Sequence, residues 1–238
     1  MKFYSLSNDD ETNWEWRAIL PANEDQKFGV ISKINSDEKI ELGTNEKLKF
    51  HLINTQRDVP RRSEIPFESD VIYWTNDLTL NTFSAANGII VSDKLLNALK
   101  KFHLPSYFEY PLDIINIEDQ SISSDYWLVQ FITPIKDFTD FSKSHYAYRP
   151  KRSKEIIRTE IGTFNSYEEY INAERISRRE QKIYIDICKR SWKVNYDVAW
   201  AYLNSIVINE TTENGLSSIG LLGVHFNLFT EFEIMLGE

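Results

Sequence analysis

The reading turns on residues 87–112, NGIIVSDKLLNALKKFHLPSYFEYPL. Ile89, Ile90 and Val91 form a short apolar run, and Ser92 follows it directly. A serine there can cap a helix, because its hydroxyl accepts from a first-turn amide. Asp93 adds negative charge where the helix dipole favours it. Leu95, Leu96, Leu99 and Phe102 then share one helical face, with Lys94, Lys100 and Lys101 outside. Pro105 ends the helix, and YFEYPLDIINI (107–117) supplies the next extended run. The unit is strand, helix, strand.

Working outward, the spacing predicts strands at 2–6, 27–34, 47–53, 70–74 and 78–83. DYWLVQFITPI (125–135) is the strongest buried strand. QRDVPRRSEIPFESD (56–70) carries two prolines and mixed charge, which predicts a surface connection. DFTDFSKSHYAYRP (137–150) reads as a turn-rich segment, followed by a basic loop and a strand near 156–164. Helical spacing marks 166–180, and KIYIDIC (182–188) alternates as a strand. YDVAWAYLNSIV (196–207) is apolar on most sides and predicts a core helix. NETTENGLSSIG (209–220) predicts a loop and LLGVHFNLF (221–229) a final strand.

The fold class expected is α+β, with mixed and antiparallel sheets and few helices. The second half repeats the opening shape, so two strand–helix–strand lobes are expected, 1–150 and 151–238, within one domain spanning 1–238. No Gly-, Pro- or Ser-rich linker marks a sharp boundary.

The net charge of −9 is uneven. Residues 143–193 hold 13 bases and 7 acids, whereas 194–238 hold 6 acids and no lysine or arginine. An acidic molecule repels nucleic acid and attracts basic partners, so no nucleic-acid partner is expected. The basic stretches KRSKEIIR (151–158) and RISRRE (175–180) are interleaved with glutamates. No apolar run nears the roughly 20 residues that span a bilayer, and no signal core follows the N-terminus, so no membrane partner is expected. A lone cysteine, Cys188, suits a cytoplasmic location and reads as a buried thiol in an apolar strand.

Signatures of chemistry are sparse. His51, His103, His145 and His225 lack partners at metal-ligand spacing, so neither metal nor cofactor is expected. GLSSIG (215–220) has one residue too many for a nucleophile elbow. Acid pairs such as Glu118–Asp119 and Asp137–Asp140 leave a carboxylate-dependent hydrolase of unknown substrate as the alternative to a binding protein. A module that self-associates through an open strand edge is a third reading.

Several ordered segments resemble one bacterial family. They are an opening FYSL, D-x-x-x-W at Asp70–Trp74, V-S-(D/E)-K at Val91–Lys94, YWLVQFI (126–132), DFTDFSKSHY (137–146) and a late GVHF (223–226). Together they resemble the polymorphic-toxin immunity proteins of the eleventh type, formerly a domain of unknown function. The second strand–helix junction departs from that pattern, with VNYDVAW (194–200) in place of the V-S pair. The resemblance implies a non-enzymatic bacterial protein that binds and neutralises a co-encoded toxin in the cytoplasm. The residues expected at that interface are Asp9, Asp10, Glu11, Trp14 and Trp16, where acids for steering sit beside aromatic anchors.

Overall fold

The structure, a computed structural model, describes residues 1–8, 16–19, 48–54, 70–75, 88–116, 120–133, 135–153, 155–200 and 206–237. The strands expected at 27–34 and 78–83 and nearly all of the 56–70 connection lie outside the described residues.

In chain order the elements begin with β1 (Phe3–Asn8), β2 (Trp16–Ile19), β3 (Leu48–Asn54), β4 (Val71–Thr75) and β5 (Gly88–Ser92). Helix α1 (Asp93–Leu99) is followed by β6 (Tyr107–Asn116), β7 (Ile122–Phe131), α2 (Ile135–Phe138), β8 (Thr139–Pro150) and β9 (Arg158–Ile161). Next come α3 (Tyr167–Ile176), which runs into a π-helical turn at Ser177–Gln181, and β10 (Ile183–Trp192). The chain closes with β11 (Val198–Trp200), β12 (Ile206–Asn209), α4 (Glu210–Ser217), β13 (Val224–Leu228) and β14 (Glu233–Leu236). The α+β class, with mixed sheets and few helices, is observed.

Two compact units divide the chain: Met1–Thr133 with Asp197–Asn227, and Pro134–Tyr196 with Leu228–Glu238. The first contains a closed barrel of order β2-β3-β6-β7-β5-β4. Its β3–β6 and β4–β2 pairs are parallel and the rest antiparallel. A second sheet has order β11-β12-β1-β13, so the first strand lies between strands from the far end of the chain. The core of this unit joins Val91, Leu95 and Leu99 from β5 and α1 to Phe131, Trp200, Ile206 and Leu216.

The opening unit is seen in the order read, strand, helix, strand, with the helix ending at Leu99, short of Phe102 and Pro105. Ser92 caps α1 by accepting from Leu95 N at 3.1 Å, and Leu95, Leu96 and Leu99 are buried. Its later counterpart needs correction. The described parts of 196–207 are not helical: β11 holds Val198–Trp200 and β12 begins at Ile206, while 201–205 lie outside the described residues. The helix lies instead at 210–217, within the segment read as a loop. β11 and β12 are buried at every position, so neither shows the alternation that betrays a half-exposed strand. A strand–helix–strand repeat survives in shifted register, β12-α4-β13, with Asn209 doing for α4 what Ser92 does for α1.

The second unit is a four-stranded sheet of order β14-β10-β8-β9. Tyr146, Phe164, Ile185 and Ile187 form its buried cluster, with Tyr167 and Tyr170 of α3 packed on it. The segment read as turn-rich is a strand that contains an irregularity. Asp140 lies opposite Ser191 and His145 opposite Lys189, so five steps of β8 face two of β10. Asp140 Oδ1 accepts from Ser142 N at 3.1 Å and from Ser142 Oγ at 2.7 Å. Ser144 Oγ donates to the Asp140 carbonyl at 2.7 Å and accepts from Ser191 N at 3.1 Å. These side chains bond the backbone that the excursion frees, as Asp and Ser do in turns.

Candidate functional site

Asp9, Asp10, Glu11 and Trp14 lie outside the described residues. Trp16 opens β2, where its backbone pairs with Asn54. The described residues therefore bring none of the other four to it.

They do bring together three of the motifs that carried the resemblance, those at Asp70–Trp74, Val91–Lys94 and 126–132. Asp70 precedes β4 and is 7% exposed. Its carboxylate accepts from the Ser92 hydroxyl and, at 2.7 Å, from Leu222 N. Its own amide donates to the Leu222 carbonyl at 2.8 Å, and Ser92 N donates to its carbonyl at 2.9 Å. Lys94 Nζ stands 3.9 Å from the carboxylate and donates to the Gly220 carbonyl at 2.5 Å. Trp127 Nε1 on β7 donates to Asp93. One buried acid thus ties β4, the β5–α1 junction and the turn before β13. A buried carboxylate is tolerated when donors and a cation surround it, as here. Its lone pairs are committed to that task.

A second acid works the same way. Asp197 precedes β11; its carboxylate accepts from His103 N at 2.8 Å and from Asn209 Nδ2 at 2.7 Å. Its amide donates to the His103 carbonyl at 2.9 Å, and its carbonyl accepts from Asn209 N at 2.9 Å. Asp70 and Asp197 each stand immediately before a strand that opens on a buried valine, Val71 and Val198, and that placement is the sequence signal that marks them.

In the second unit the buried polar groups surround aromatic rings. Tyr146 OH donates to the Phe141 carbonyl at 2.8 Å, and Tyr170 OH to the Ile185 carbonyl at 3.0 Å. Burial raises both phenols, Tyr170 to about 12, so both stay neutral donors. Arg190 lies over the Phe232 ring at 4.7 Å and donates to Thr139 Oγ1 at 3.0 Å; burial lowers it to about 10. The Cys188 thiol is half-buried and points to the His145 carbonyl at 3.5 Å. Asp140, one of the paired acids considered above, is occupied with Ser142, and Glu118–Asp119 lie outside the described residues. No group of three or more metal-ligating side chains occurs among the described residues. No described helix is long and apolar enough to cross a membrane.

The charge separates by unit. The first unit's sequence holds 13 bases and 24 acids, a balance of −11; the second holds 14 bases and 12 acids, a balance of +2.

Compared with known families, the chain matches the model described as immunity protein 43 over residues 71–226. It belongs to that family. The match begins at the residue after Asp70 and ends with the GVHF segment. It therefore spans nearly the whole stretch that the Asp70 clip closes. Membership of an immunity-protein family bears out the resemblance read from the sequence; the number attached is 43, and the eleventh-type designation is not shown by it. No curated protein matches the chain. In this immunity protein 43 member, the Asp70, Ser92 and Lys94 cluster ties the start of the matched stretch to its end.

Proposed function

We propose that the chain binds and neutralises a toxin encoded beside it, in the bacterial cytoplasm, and does so by occupation with no bond made or broken. The observation that carries this reading is family membership over 71–226. Two features support it. The buried Asp70 and the half-buried Asp197 are consumed in holding the fold. The first unit's balance of −11 supplies a field that would speed capture of a basic partner and repel nucleic acid. Asp9, Asp10, Glu11, Trp14 and Trp16, with acids beside two indoles, remain the proposed contact segment.

The test is co-expression with each neighbouring gene product, followed by co-purification. A stable complex and rescue of the cells are expected with one of them. If every neighbouring product fails to bind and no rescue occurs, the reading falls.

A further inference from the structure

Among the described residues β9 is an edge strand, paired only with β8. Its register is plain: Tyr148 lies opposite Arg158, Ala147 opposite Thr159, Tyr146 opposite Glu160 and His145 opposite Ile161. Gly162 N donates to the Ser144 carbonyl at 3.0 Å, in step with these pairs; Ile157 N donates to the Tyr148 carbonyl at 2.8 Å, one residue out of step, so the ladder is irregular just before Arg158 and the Ile157 amide belongs to β8. In an antiparallel ladder the residues bonded to the neighbour alternate with those turned away. Counting back from Gly162, Thr159 and Ile161 turn their backbone groups away from β8. Edge strands are blunted by shortness, by bulges, by proline or by charge, lysine above all; β9 is four residues long, and its two charges are of opposite sign. It reads Arg-Thr-Glu-Ile, with neither proline nor lysine. Its flanks are apolar and open: Ile157 is 56% exposed and Ile161 is 69% exposed.

The sequence around Thr159 is its own complement. Reversed about that residue, Ile157-Arg158-Thr159-Glu160-Ile161 places isoleucine against isoleucine and arginine against glutamate. Arg158 and Glu160 occupy one face, with Nε to Oε1 at 3.4 Å, and their side chains are 59% and 33% exposed. Both are already positioned there: Arg158 lies over the Tyr148 ring at 4.1 Å, and Glu160 accepts from Tyr148 OH at 2.7 Å.

We propose that β9 pairs antiparallel with β9 of a second copy of this chain, across a twofold axis at Thr159. The two Thr159 amides and carbonyls bond reciprocally. Each Arg158 faces Glu160 of the second copy, and each Ile161 lies beside Ile157 of the second copy. Such an interface is isologous, and it turns a four-stranded sheet into one of eight. A toxin strand would fit the same backbone, but nothing about a toxin requires β9 to be charge-palindromic. With so short a strand the dimer is weak and concentration-dependent. The inference is independent of toxin binding.

Sedimentation velocity on the full chain over a wide concentration range tests it. A 28.0 kDa monomer at low concentration should give way to a dimer at high concentration. Arg158→Glu alone, or Glu160→Arg alone, sets like charges opposite each other at two places per dimer. Each should weaken association on the order of tenfold, and the double variant should restore it. Thr159→Pro removes an amide that β8 does not use, and should abolish the dimer while melting and circular dichroism stay native. If that variant misfolds, Ile161→Lys replaces it, with loss of the dimer again expected. A monomer at every concentration, or a dimer indifferent to these changes, overturns the proposal. So does a toxin complex that these changes destroy while the mass of the free protein never varies.

Discussion

The buried phenols of the second unit show how single residues set the pH behaviour. Tyr170 is raised from 10.0 to about 12 by burial. A neutral phenol in the fold, against an ordinary one in the unfolded chain, gives stability that is whole below pH 10. It drains away as pH climbs from 10 to about 12, because only the unfolded state releases the proton. Tyr146 moves in the same direction and steepens the loss. Tyr170→Phe should cost about 1 kcal/mol at neutral pH through the lost bond to Ile185, yet flatten the alkaline decline. Urea midpoints of both proteins at neutral pH and in that alkaline window decide it; parallel curves would refute the assignment. None of these burials was readable beforehand, because tyrosines are common at surfaces as well as in cores.

Among elements, caps and clips matter more than propensity. α4 contains two threonines, an asparagine and Gly215, a poor set for a helix. It forms because Asn209 accepts from Thr212 N at 2.8 Å, and because Gly215 lets the Phe102 ring lie close; a Cβ there would meet it at 2.9 Å. Reading ETTENGLS as a loop followed its composition and missed the cap that precedes it. β11 and β12 were missed for a different reason: Val198 and Ile208 are wholly buried, so their strands carry no polar face. The 87–112 unit was legible because α1 keeps one side in water and its lysines say so. The Asp70 clip was visible as separate motifs, but only the fold shows them meeting. Asp70→Ala should leave the Ser92 hydroxyl and Leu222 amide unsatisfied and cost about 3 kcal/mol, with Asp70→Asn nearer half of that. Denaturant unfolding measures both, and an alanine variant as stable as the parent would show that the clip is dispensable.

At the scale of the whole molecule, the charge pattern is the part of function the sequence displayed most openly. Its division between the units became clear only once the fold assigned residues 134–196 to one of them. The contact segment at Asp9–Trp16 rests on sequence alone. If the acidic unit steers a basic toxin, the association rate should fall steeply with added salt while dissociation changes little. Stopped-flow binding at several ionic strengths checks this, and a rate insensitive to salt would place the partner's recognition elsewhere.

β1 has a consequence for when the protein can act. Its neighbours β12 and β13 are encoded some two hundred residues later. A ribosome adding roughly 5–20 residues per second needs about 10–40 s to reach them. Throughout that interval the nascent chain holds Phe3–Asn8 with neither ladder made. A chain built this way completes that sheet only near the end of synthesis, so any binding that needs the finished unit waits for nearly the whole chain.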